Sequence, residues 1–471
     1  MKNRLIFSYI IIFLVFINFP IDAARAENNL SDCLLQASSN QGLSLGKPIA
    51  TERLAYKNKL RIGVLPFYFT DGKINNLSDN DKEDYLYAAK IIENLSNNRV
   101  KIDFEFLPSV NSGFNSKDLK NIFTQRGASW AAMDLSTSTW GFVKSIILTS
   151  DKTVNYSGLD SIILQGNNED TSYYIAEAMI FFGKNSNSNS NQVNSEFFRN
   201  VSTNEGTINN AILLDNHVNP NIIAHELMHN FGLTDLYGTG TGPAYMSLMA
   251  GASARLLNYE KALLGWFPNS NFLCTDFNQF MEQPLDKLVI NFSNIDEDSI
   301  YLLKITKETA YVFEISHEGK SAYLVAYFID NESRPPITMF LNPNVNFFNL
   351  YDLNDLHNIG KFYNSLEFKI LFSDKIDKKV VINLIPNKFL ESIEAKSYFD
   401  NSLKRRDLLL AQLELDNKLK AETQAKTSTD LATKTSTKIV NSKTTITCSK
   451  GKIIKKVTGV SPKCPSGYLK K

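Results

Sequence analysis

The chain has 471 residues, of which 43% are hydrophobic, 11% aromatic and 21% charged. This length predicts two or three domains with connecting segments, and this composition excludes a wholly disordered chain, a collagen-like chain and a multi-pass membrane protein. The net charge of +1 hides an asymmetry, because residues 423–471 carry 11 Lys and one acid, or +10, and the rest carries 39 basic and 48 acidic residues, or −9. An acidic body with a basic tail does not match a nucleic-acid-binding protein, whose basic patch lies on the folded domain.

The first 26 residues have the features of a secretory signal peptide. Lys2 and Arg4 form a basic start, residues 5–17 are almost uninterrupted apolar sequence, and an Ala-Arg-Ala sequence at 24–26 suits a signal peptidase. The apolar core has 13 residues, whereas a membrane-spanning helix needs about 20. We therefore expect a cleaved signal peptide and an exported protein, secreted or held at the cell surface, with a retained membrane anchor as the alternative.

Residues 27–58 form a polar lead-in, and residues 59–268 mix strand and helix patterns. Helical apolar spacing predicts a helix over residues 79–97. Apolar or alternating runs predict strands at residues 60–66, 100–106, 161–165 and 211–214.

The last of these strands directly precedes the strongest motif of the chain. We predict that Ala211, Ile212, Leu213 and Leu214 form an edge strand of the sheet. An extended peptide substrate could add to such a strand by main-chain hydrogen bonds. The alternative is a sheet edge without a binding role.

His225-Glu226-Leu-Met-His229 is an HExxH motif. Residues four apart on a helix lie on one face, so both imidazoles can bind one Zn²⁺ through nitrogen at about 2.0–2.1 Å. Glu226 can then reach a water on the metal as a general base. Asn219 as N-cap and Pro220 as the first helical residue support a helix here. A structural zinc site fits poorly, because such sites are closed by four protein ligands, mostly cysteines.

A catalytic zinc needs a third protein ligand. Gly232 is placed to end the helix in a left-handed turn, and Asp235 follows three residues later. A helix continued to Asp235 would carry the carboxylate past the metal, whereas a chain turned at Gly232 can bring it back and leave one position open for water. We rank Asp235 first, and the alternatives are Asp215, His217 and Tyr237.

The rest of the chain divides by composition into four segments. Residues 269–386 contain repeated short strands without helix patterns, which indicates a β-sandwich-like domain. The strands predicted there are residues 288–292, 300–305, 311–315, 322–329, 366–372 and 379–385. Residues 387–422 form a charged helix, residues 423–445 a Thr/Ser/Lys linker that has no means of building a core, and residues 446–471 a small basic C-terminal module.

Four cysteines are too few for a disulfide scaffold in a chain of this length. In an exported protein we expect Cys33 to pair with Cys274 and Cys448 with Cys464, although four cysteines allow three pairings. The second pair would close a small loop in the tail. An alternative role for Cys33 is a thiolate that caps the zinc.

The positive charge of the C-terminal tail indicates an anionic partner. Its lysines could hold the protein to an anionic cell envelope by electrostatics, and the alternative is a flexible solubilising tail. The other expected partners are protein or peptide substrates. The sequence does not determine the oligomeric state.

HExxHxxG followed by a turn is similar to the metzincin pattern, and the surrounding residues resemble the immune inhibitor A family of secreted bacterial metallopeptidases. Residues 225–237 match its active-site helix and Gly-Leu-x-Asp-x-Tyr exit. Residues 247–251, Ser-Leu-Met-Ala-Gly, are similar to its Leu-Met-x-Gly segment, and residues 258–267 to its Glu-Lys-x-x-Leu-Gly-Trp segment. Weaker likeness extends to residues 311–315 and 324–330.

With the elements predicted above, the resemblance implies an α+β protein. Its zinc peptidase domain would be metzincin-like, with a twisted mixed sheet and an active-site helix. A β-sandwich-like domain, a helical segment and a small disulfide-closed C-terminal module would follow.

The resemblance also implies roles for particular residues. It implies Asp235 as third zinc ligand, Met249 as the Met-turn residue, and Ca²⁺ beside one catalytic Zn²⁺. Gly251 stands where some metzincins place a tyrosine that stabilises the transition state. Tyr245 and Tyr259 are candidates for that role instead.

These features together predict a secreted zinc-dependent endopeptidase with Glu226 as general base. One alternative is a catalytically latent surface or envelope binding protein on a metzincin fold. Another is a zinc hydrolase that acts on a non-peptide bond. Glu226 favours an enzyme, because a binding protein has no chemical need for a general base beside the metal.

Overall fold

The structure, a computed structural model, describes residues 30–37, 43–118, 139–167, 176–181, 199–214, 219–237, 247–251, 254–282, 289–292, 297–318, 321–333, 336–339, 351–359, 361–364, 367–376, 378–436 and 443–471. The predicted signal peptide, residues 1–26, lies outside them. The described part contains helices and several sheets, which confirms an α+β protein. None of its helices combines the length and the apolar character that a membrane span requires. The described residues form two compact units, which divide between Leu403 and Lys404.

The first sheet of the larger unit contains the strands predicted ahead of the HExxH motif. In chain order the strands of this region are β1 (Lys59–Tyr68), β2 (Lys101–Phe106), β3 (Val110–Asn111), β4 (Ser161–Gln165), β5 (Ala176–Ile180), β6 (Val201–Ser202), β7 (Thr207–Ile208) and β8 (Asn210–Leu214). The sheet order is β2-β1-β4-β8-β5, with β3 beside β1, while β6 and β7 form a separate pair. Strands β1, β2, β4 and β8 run parallel, and β5 runs antiparallel to β8. The sheet is therefore mixed.

Helices cover both faces of this sheet. The helices of the region are α1 (Leu30–Cys33), α2 (Asp79–Leu95), α3 (Thr139–Ser150) and α4 (Pro220–Phe231). Alternate strand residues point to opposite faces, so Ile163 and Ile212 join the core formed with α2 and α4. Leu164 and Leu213 join the core on the α3 side.

The N-terminal segment predicted to be a polar lead-in contributes to the core of this unit. Cys33, Leu45 and Leu54 are buried in the same core as α4. The guanidinium of Arg53 is also buried, and it donates hydrogen bonds to Oδ1 of Asn210, at 2.7 Å, and to the Phe181 carbonyl. These contacts attach the segment to β8 and to the end of β5.

The β-rich region follows α5 (Asn258–Leu263) and contains α6 (Phe277–Glu282). Its strands are β9 (Phe272–Asp276), β10 (Val289–Phe292), β11 (Ser299–Lys304), β12 (Thr309–Glu318), β13 (Ser321–Asp330), β14 (Ile337–Met339), β15 (Tyr351–Asp352), β16 (Phe362–Asn364), β17 (Phe368–Ile376) and β18 (Lys379–Pro386). One sheet has the order β14-β13-β12-β11-β9, with β15 beside β13, and the other has the order β10-β18-β17-β16. The six strands predicted here from alternation are all present.

The two sheets of this region contact each other, and one of them also joins the core beneath α4. The ring of Phe368 on β17 lies 4.9 Å from that of Tyr311 and 6.0 Å from that of Phe313, both on β12. Leu302 of β11 and Val312 of β12 are buried in the same core as α4. The β-rich region thus packs directly on the layer that carries the HExxH motif.

The second unit contains residues 404–436 of α7 (Ile393–Ser436) and a small sheet. Residues 423–436 were predicted to be linker, but they continue the helix. The helix is already formed before residue 423, where pairs such as Glu414 and Lys418, 3.0 Å apart, support it. Extending an existing helix costs less free energy than starting one, so it can continue without a core.

The small sheet of this unit has the order β20-β19-β21, formed by β19 (Thr444–Lys450), β20 (Ile453–Gly459) and β21 (Leu469–Lys470). The predicted disulfide between Cys448 and Cys464 is present in this module.

Candidate metal centre

The HExxH motif lies on α4, whose two ends have specific sequence signals. The side-chain oxygen of Asn219 accepts a hydrogen bond from the amide of Ile222 at 3.2 Å, and Pro220 is the first helical residue. Gly232 follows the helix with a φ of +113°, a left-handed conformation that residues with a Cβ rarely adopt. The helix therefore ends within one turn of His229.

Three side chains with metal-binding atoms converge where the chain leaves α4. The Nε2 atoms of His225 and His229 lie 3.2 and 3.1 Å from Oδ1 of Asp235, and the three atoms all lie within 4.8 Å of one another. Both histidines are buried, whereas 41% of the Asp235 side chain is exposed. In the part of the chain that the structure describes, no other group of three or more His, Cys, Asp or Glu side chains lies close enough to hold a metal ion.

The spacing of these atoms fits Zn²⁺. Ligand atoms at about 2.0–2.1 Å around a tetrahedral zinc lie roughly 3.3 Å apart, and the two nitrogen-to-oxygen distances are 3.2 and 3.1 Å. Oδ1 of Asp235 is buried but accepts no well-aligned hydrogen bond, although both imidazole nitrogens face it. A cation shared by the three atoms would satisfy that oxygen. Two imidazoles and one carboxylate also form a donor set that catalytic zinc takes, with a fourth position open.

Two main-chain carbonyls orient the imidazoles. Nδ1 of His225 lies 2.7 Å from the oxygen of Leu248, and Nδ1 of His229 lies 2.8 Å from the oxygen of Leu233. Each Nδ1–H can donate to its carbonyl, which leaves the Nε2 lone pair free for a metal. Sequence reasoning does not find these acceptors, because every residue type supplies a main-chain carbonyl.

Charge at this cluster favours a bound cation. Burial opposes ionisation of Asp235, but contacts with His225 and His229 hold the pKa of its carboxyl group well below its usual range. Burial also opposes protonation of His229, yet contact with Asp235 and the nearby charge of Glu226 raise its pKa to about 9. The carboxylate therefore stays ionised, and the metal-free site takes up a proton where a metal would bind.

Glu226 is buried and directly follows His225 in the motif. Burial raises the pKa of its carboxyl group. The charges of His229 and His225 oppose that rise, and the charge of Asp235 adds to it. A carboxyl group with a raised pKa accepts a proton more readily near neutral pH, as a general base must.

Met249 lies in a buried 3-10 turn, Leu248–Ala250, beside the ligand segment. Its carbonyl accepts a hydrogen bond at 2.9 Å from the amide of Leu236, the residue after Asp235. The turn therefore contacts the main chain next to Asp235 and the side chain of His225. The identity of Met249 as a Met-turn residue stays a prediction.

The predicted edge strand is an interior strand. Ala211, Ile212, Leu213 and Leu214 belong to β8, which pairs with β4 on one side and with β5 on the other. Its main-chain groups are therefore bonded on both sides, and it cannot accept an added peptide strand. Among the described strands, β5 occupies that end of the sheet. A run of four apolar residues has the same pattern at a sheet edge and in an interior position, so the sequence could not separate the two.

Three further predictions concern tyrosines. Tyr259 is fully buried, and its hydroxyl accepts from the Leu35 amide at 3.0 Å and donates to the Leu45 carbonyl at 3.2 Å. It cannot reach a substrate, so its predicted role in the transition state is wrong. Tyr237, an alternative ligand, is 54% exposed, with its ring 6.0 Å from the His225 ring. Tyr245 lies outside the described residues.

The remaining alternatives concern Cys33 and two other candidate ligands. Cys33 forms a disulfide with Cys274, as predicted, so it cannot cap the zinc as a thiolate. Asp215 and His217, the other alternative ligands, lie outside the described residues.

Comparison with known proteins does not assign the chain to a family. No protein-family model matches the chain, and no curated protein matches its sequence.

Proposed function

We propose that the protein is an exported zinc-dependent endopeptidase of the metzincin type, similar to the immune inhibitor A family. The observation that carries the proposal is the set of three ligand atoms of His225, His229 and Asp235, with separations of 3.1 and 3.2 Å to the carboxylate, beside the buried carboxyl group of Glu226. One helix and the turn after it supply both the ligands and the base. Residues 247–251 and 258–267 support the family likeness.

The chemistry follows from the roles of these side chains. A Zn²⁺ ion held by His225, His229 and Asp235 would supply Lewis acidity toward the scissile carbonyl and the attacking water. Glu226 takes a proton from the water as its oxygen adds to the carbonyl carbon, and delivers that proton to the leaving amine. The carbon–nitrogen bond breaks, and the products are a carboxylic acid and an amine.

Burial of Glu226 favours an enzyme over a latent binding protein. Burying a carboxyl group costs free energy, and burial raises the pKa of Glu226. A protein that only binds has no chemical use for a base at this position. The disulfides Cys33–Cys274 and Cys448–Cys464 fit an exported protein, because such bonds persist outside the cytosol.

The test is turnover of casein, a generic unfolded protein, by the full mature chain. The wild type is compared with Glu226→Gln and with a chelator-treated sample before and after Zn²⁺ is added back. We expect Glu226→Gln to lower kcat/KM by about 10²–10⁴-fold, because it removes the proton acceptor. It should bind Zn²⁺ as the wild type does. Glu83→Gln, which changes an exposed carboxylate on α2, is the matched control and should leave the activity unchanged.

The outcomes separate the alternatives. If the wild type binds one Zn²⁺ but cleaves no protein substrate, the latent binding protein or a hydrolase of another bond replaces the peptidase. If the wild type binds no Zn²⁺, the ligand assignment itself is wrong. Equal activity of the wild type and Glu226→Gln would exclude Glu226 as the base.

A further inference from the structure

A buried carboxyl group on α5 is connected by hydrogen bonds to the turn that holds Met249. Oε2 of Glu260 accepts from the hydroxyl of Ser247 at 2.7 Å and from the amide of Leu257 at 2.8 Å. The Ser247 oxygen accepts in turn from the amide of Met249 at 3.0 Å. Glu260 and Ser247 are both fully buried, so no water competes for these bonds.

The turn held in this way contacts the segments that carry two of the three candidate metal ligands. The carbonyl of Leu248 is the acceptor for Nδ1 of His225 at 2.7 Å. The carbonyl of Met249 accepts from the amide of Leu236 at 2.9 Å, next to Asp235. A shift of this turn would therefore rotate one imidazole and move the main chain beside the carboxylate.

A strand of the β-rich region holds α5 in place. The carboxyl group of Glu314, on β12, accepts from the amide of Asn258 at 3.1 Å, the amide of Tyr259 at 3.2 Å and the hydroxyl of Tyr327 at 3.0 Å. The side-chain amide of Asn258 donates to the carbonyl of Ile315 at 2.7 Å. The network thus runs from β12 through α5 and Ser247 to His225.

Burying two carboxyl groups costs free energy, which indicates that this arrangement has a function. The second carboxyl oxygen of Glu260, Oε1, is buried without a hydrogen-bond partner, and a second buried carboxyl group, that of Glu314, lies near it. Buried ionisable groups can often be replaced by apolar side chains without loss of stability. Stability alone therefore does not account for two buried acids here, whereas a turn that must hold an imidazole in one orientation does.

We propose that Glu260 is a positioning residue of the metal site, which acts through Ser247 and the Leu248 carbonyl to orient His225. This inference rests on the proposed metal site and adds a residue remote from the ligands. Partners that orient a ligating histidine contribute about 10–100-fold to metal affinity. The contact made by Glu260 is indirect, so the lower end of that range applies.

The test measures metal binding by the full chain instead of activity. The Zn²⁺ affinity is determined by competition with a chromogenic chelator, and the visible spectrum of the Co²⁺-loaded protein reports the coordination geometry. Ser247→Ala and Glu260→Ala remove the network, and Glu260→Gln is the conservative variant, because its amide oxygen can still accept from Ser247. Ser373→Ala is the matched control, since Ser373 is also buried and donates to Asn383 at 2.6 Å in the other sheet of the β-rich region.

We expect Ser247→Ala and Glu260→Ala to weaken Zn²⁺ binding by about ten-fold and to change the Co²⁺ spectrum. Glu260→Gln and Ser373→Ala should resemble the wild type in both measurements. If Ser247→Ala resembles Ser373→Ala, the positioning role is wrong while the metal site stands. If the wild type binds neither metal, the metal site is wrong and the positioning role falls with it. If the wild type binds metal but cleaves no protein, only the proposed peptidase activity is overturned.

Discussion

Buried carboxyl groups near the candidate metal site affect the stability of the fold as well as its chemistry. Burial raises the pKa of Glu260 to about 8, hydrogen bonds from Ser247 and Leu257 oppose this rise in part, and the charge of Glu314 adds to it. Burial likewise raises the pKa of Glu314 to about 7. At neutral pH the folded protein therefore holds protons that the unfolded chain releases.

The sign of the resulting pH dependence follows from this difference. Below the ordinary pKa of 4.5 both states are protonated and the contribution of Glu260 to stability is complete. As the pH rises from there to about 8, the unfolded state loses its proton first, so the free energy of unfolding falls. One such group contributes a slope of roughly 1.4 kcal/mol per pH unit.

We therefore expect Glu260→Gln to make the free energy of unfolding less dependent on pH. An amide does not titrate, so the variant should lose less stability than the wild type between about pH 5 and pH 7. Urea unfolding at several pH values in this interval, with the metal state held constant, measures the difference. Glu83→Gln on the exposed face of α2 should retain the wild-type slope. Parallel curves for Glu260→Gln and the wild type would contradict the prediction.

The end of α4 determines where Asp235 lies relative to the two histidines. Gly232 has a φ of +113°, and a Cβ added there would lie 2.7 Å from Cγ2 of Ile49. Because the chain reverses at this residue, any substitution strains both the backbone and the contact with the N-terminal segment. The position of the third ligand depends on that reversal.

We expect Gly232→Ala to destabilise the protein and to weaken Zn²⁺ binding. The left-handed conformation alone costs a residue with a Cβ roughly 1–2 kcal/mol, and the contact with Ile49 adds to that cost. Thermal unfolding measures the first effect and chelator competition the second. Gly206→Ala is the control, because a Cβ there meets no atom within 4 Å and no left-handed φ is required. Wild-type stability and affinity in Gly232→Ala would show that the turn tolerates a side chain.

Long-range links join parts of the chain that are far apart in sequence. The disulfide Cys33–Cys274 connects residues 241 positions apart, from the N-terminal segment to β9. The hydrogen bonds of Tyr259 to Leu35 and Leu45 connect the same segment to α5. The N-terminal segment, α4 and the first sheet of the β-rich region therefore form one body around the site.

The basic C-terminal module presents exposed apolar side chains among its lysines. Ser449 of β19 lies opposite Ile454 of β20 on one side and Leu469 of β21 on the other, so these three share a face of the small sheet. Ile454 is 56% exposed and Leu469 is 78% exposed. Residues 443–471 carry eight lysines and no acid, at positions 443, 450, 452, 455, 456, 463, 470 and 471.

Such a surface should bind anionic lipid more strongly than neutral lipid. We expect the full chain to sediment with vesicles that contain phosphatidylglycerol but not with pure phosphatidylcholine vesicles, and salt should weaken the binding by screening the lysines. A chain that ends at residue 442 should not bind. A double variant, Ile454→Ser with Leu469→Ser, separates the contribution of the apolar side chains from that of the lysines. Unchanged binding by this variant would mean that only the charge of the lysines binds the lipid. Equal binding by the full and the shortened chain would contradict a role for the module.

Local sequence signals were sufficient for much of this structure. The α+β class, the ends of α4 at Asn219 and Gly232 and the strands of the β-rich region follow from capping residues and apolar spacing. Both disulfides are the pairs expected in an exported protein, although four cysteines allow three pairings. The HExxH spacing brings two imidazoles to one face of a helix whatever surrounds it. These features depend on residues close together in the chain, or on chemistry that only one residue type supplies.

Other features depend on which distant segments meet, and no local pattern encodes that. The four apolar residues of β8, Ala211 to Leu214, have the same pattern at an edge and in an interior position, and pairing with β5 makes them interior. The carbonyl of Leu248 can orient His225, and Glu260 can meet Ser247, only after the chain has folded. Main-chain acceptors carry no sequence signal, because every residue type supplies a carbonyl. Long-range pairing depends on the whole chain, so these contacts form only when the core packs.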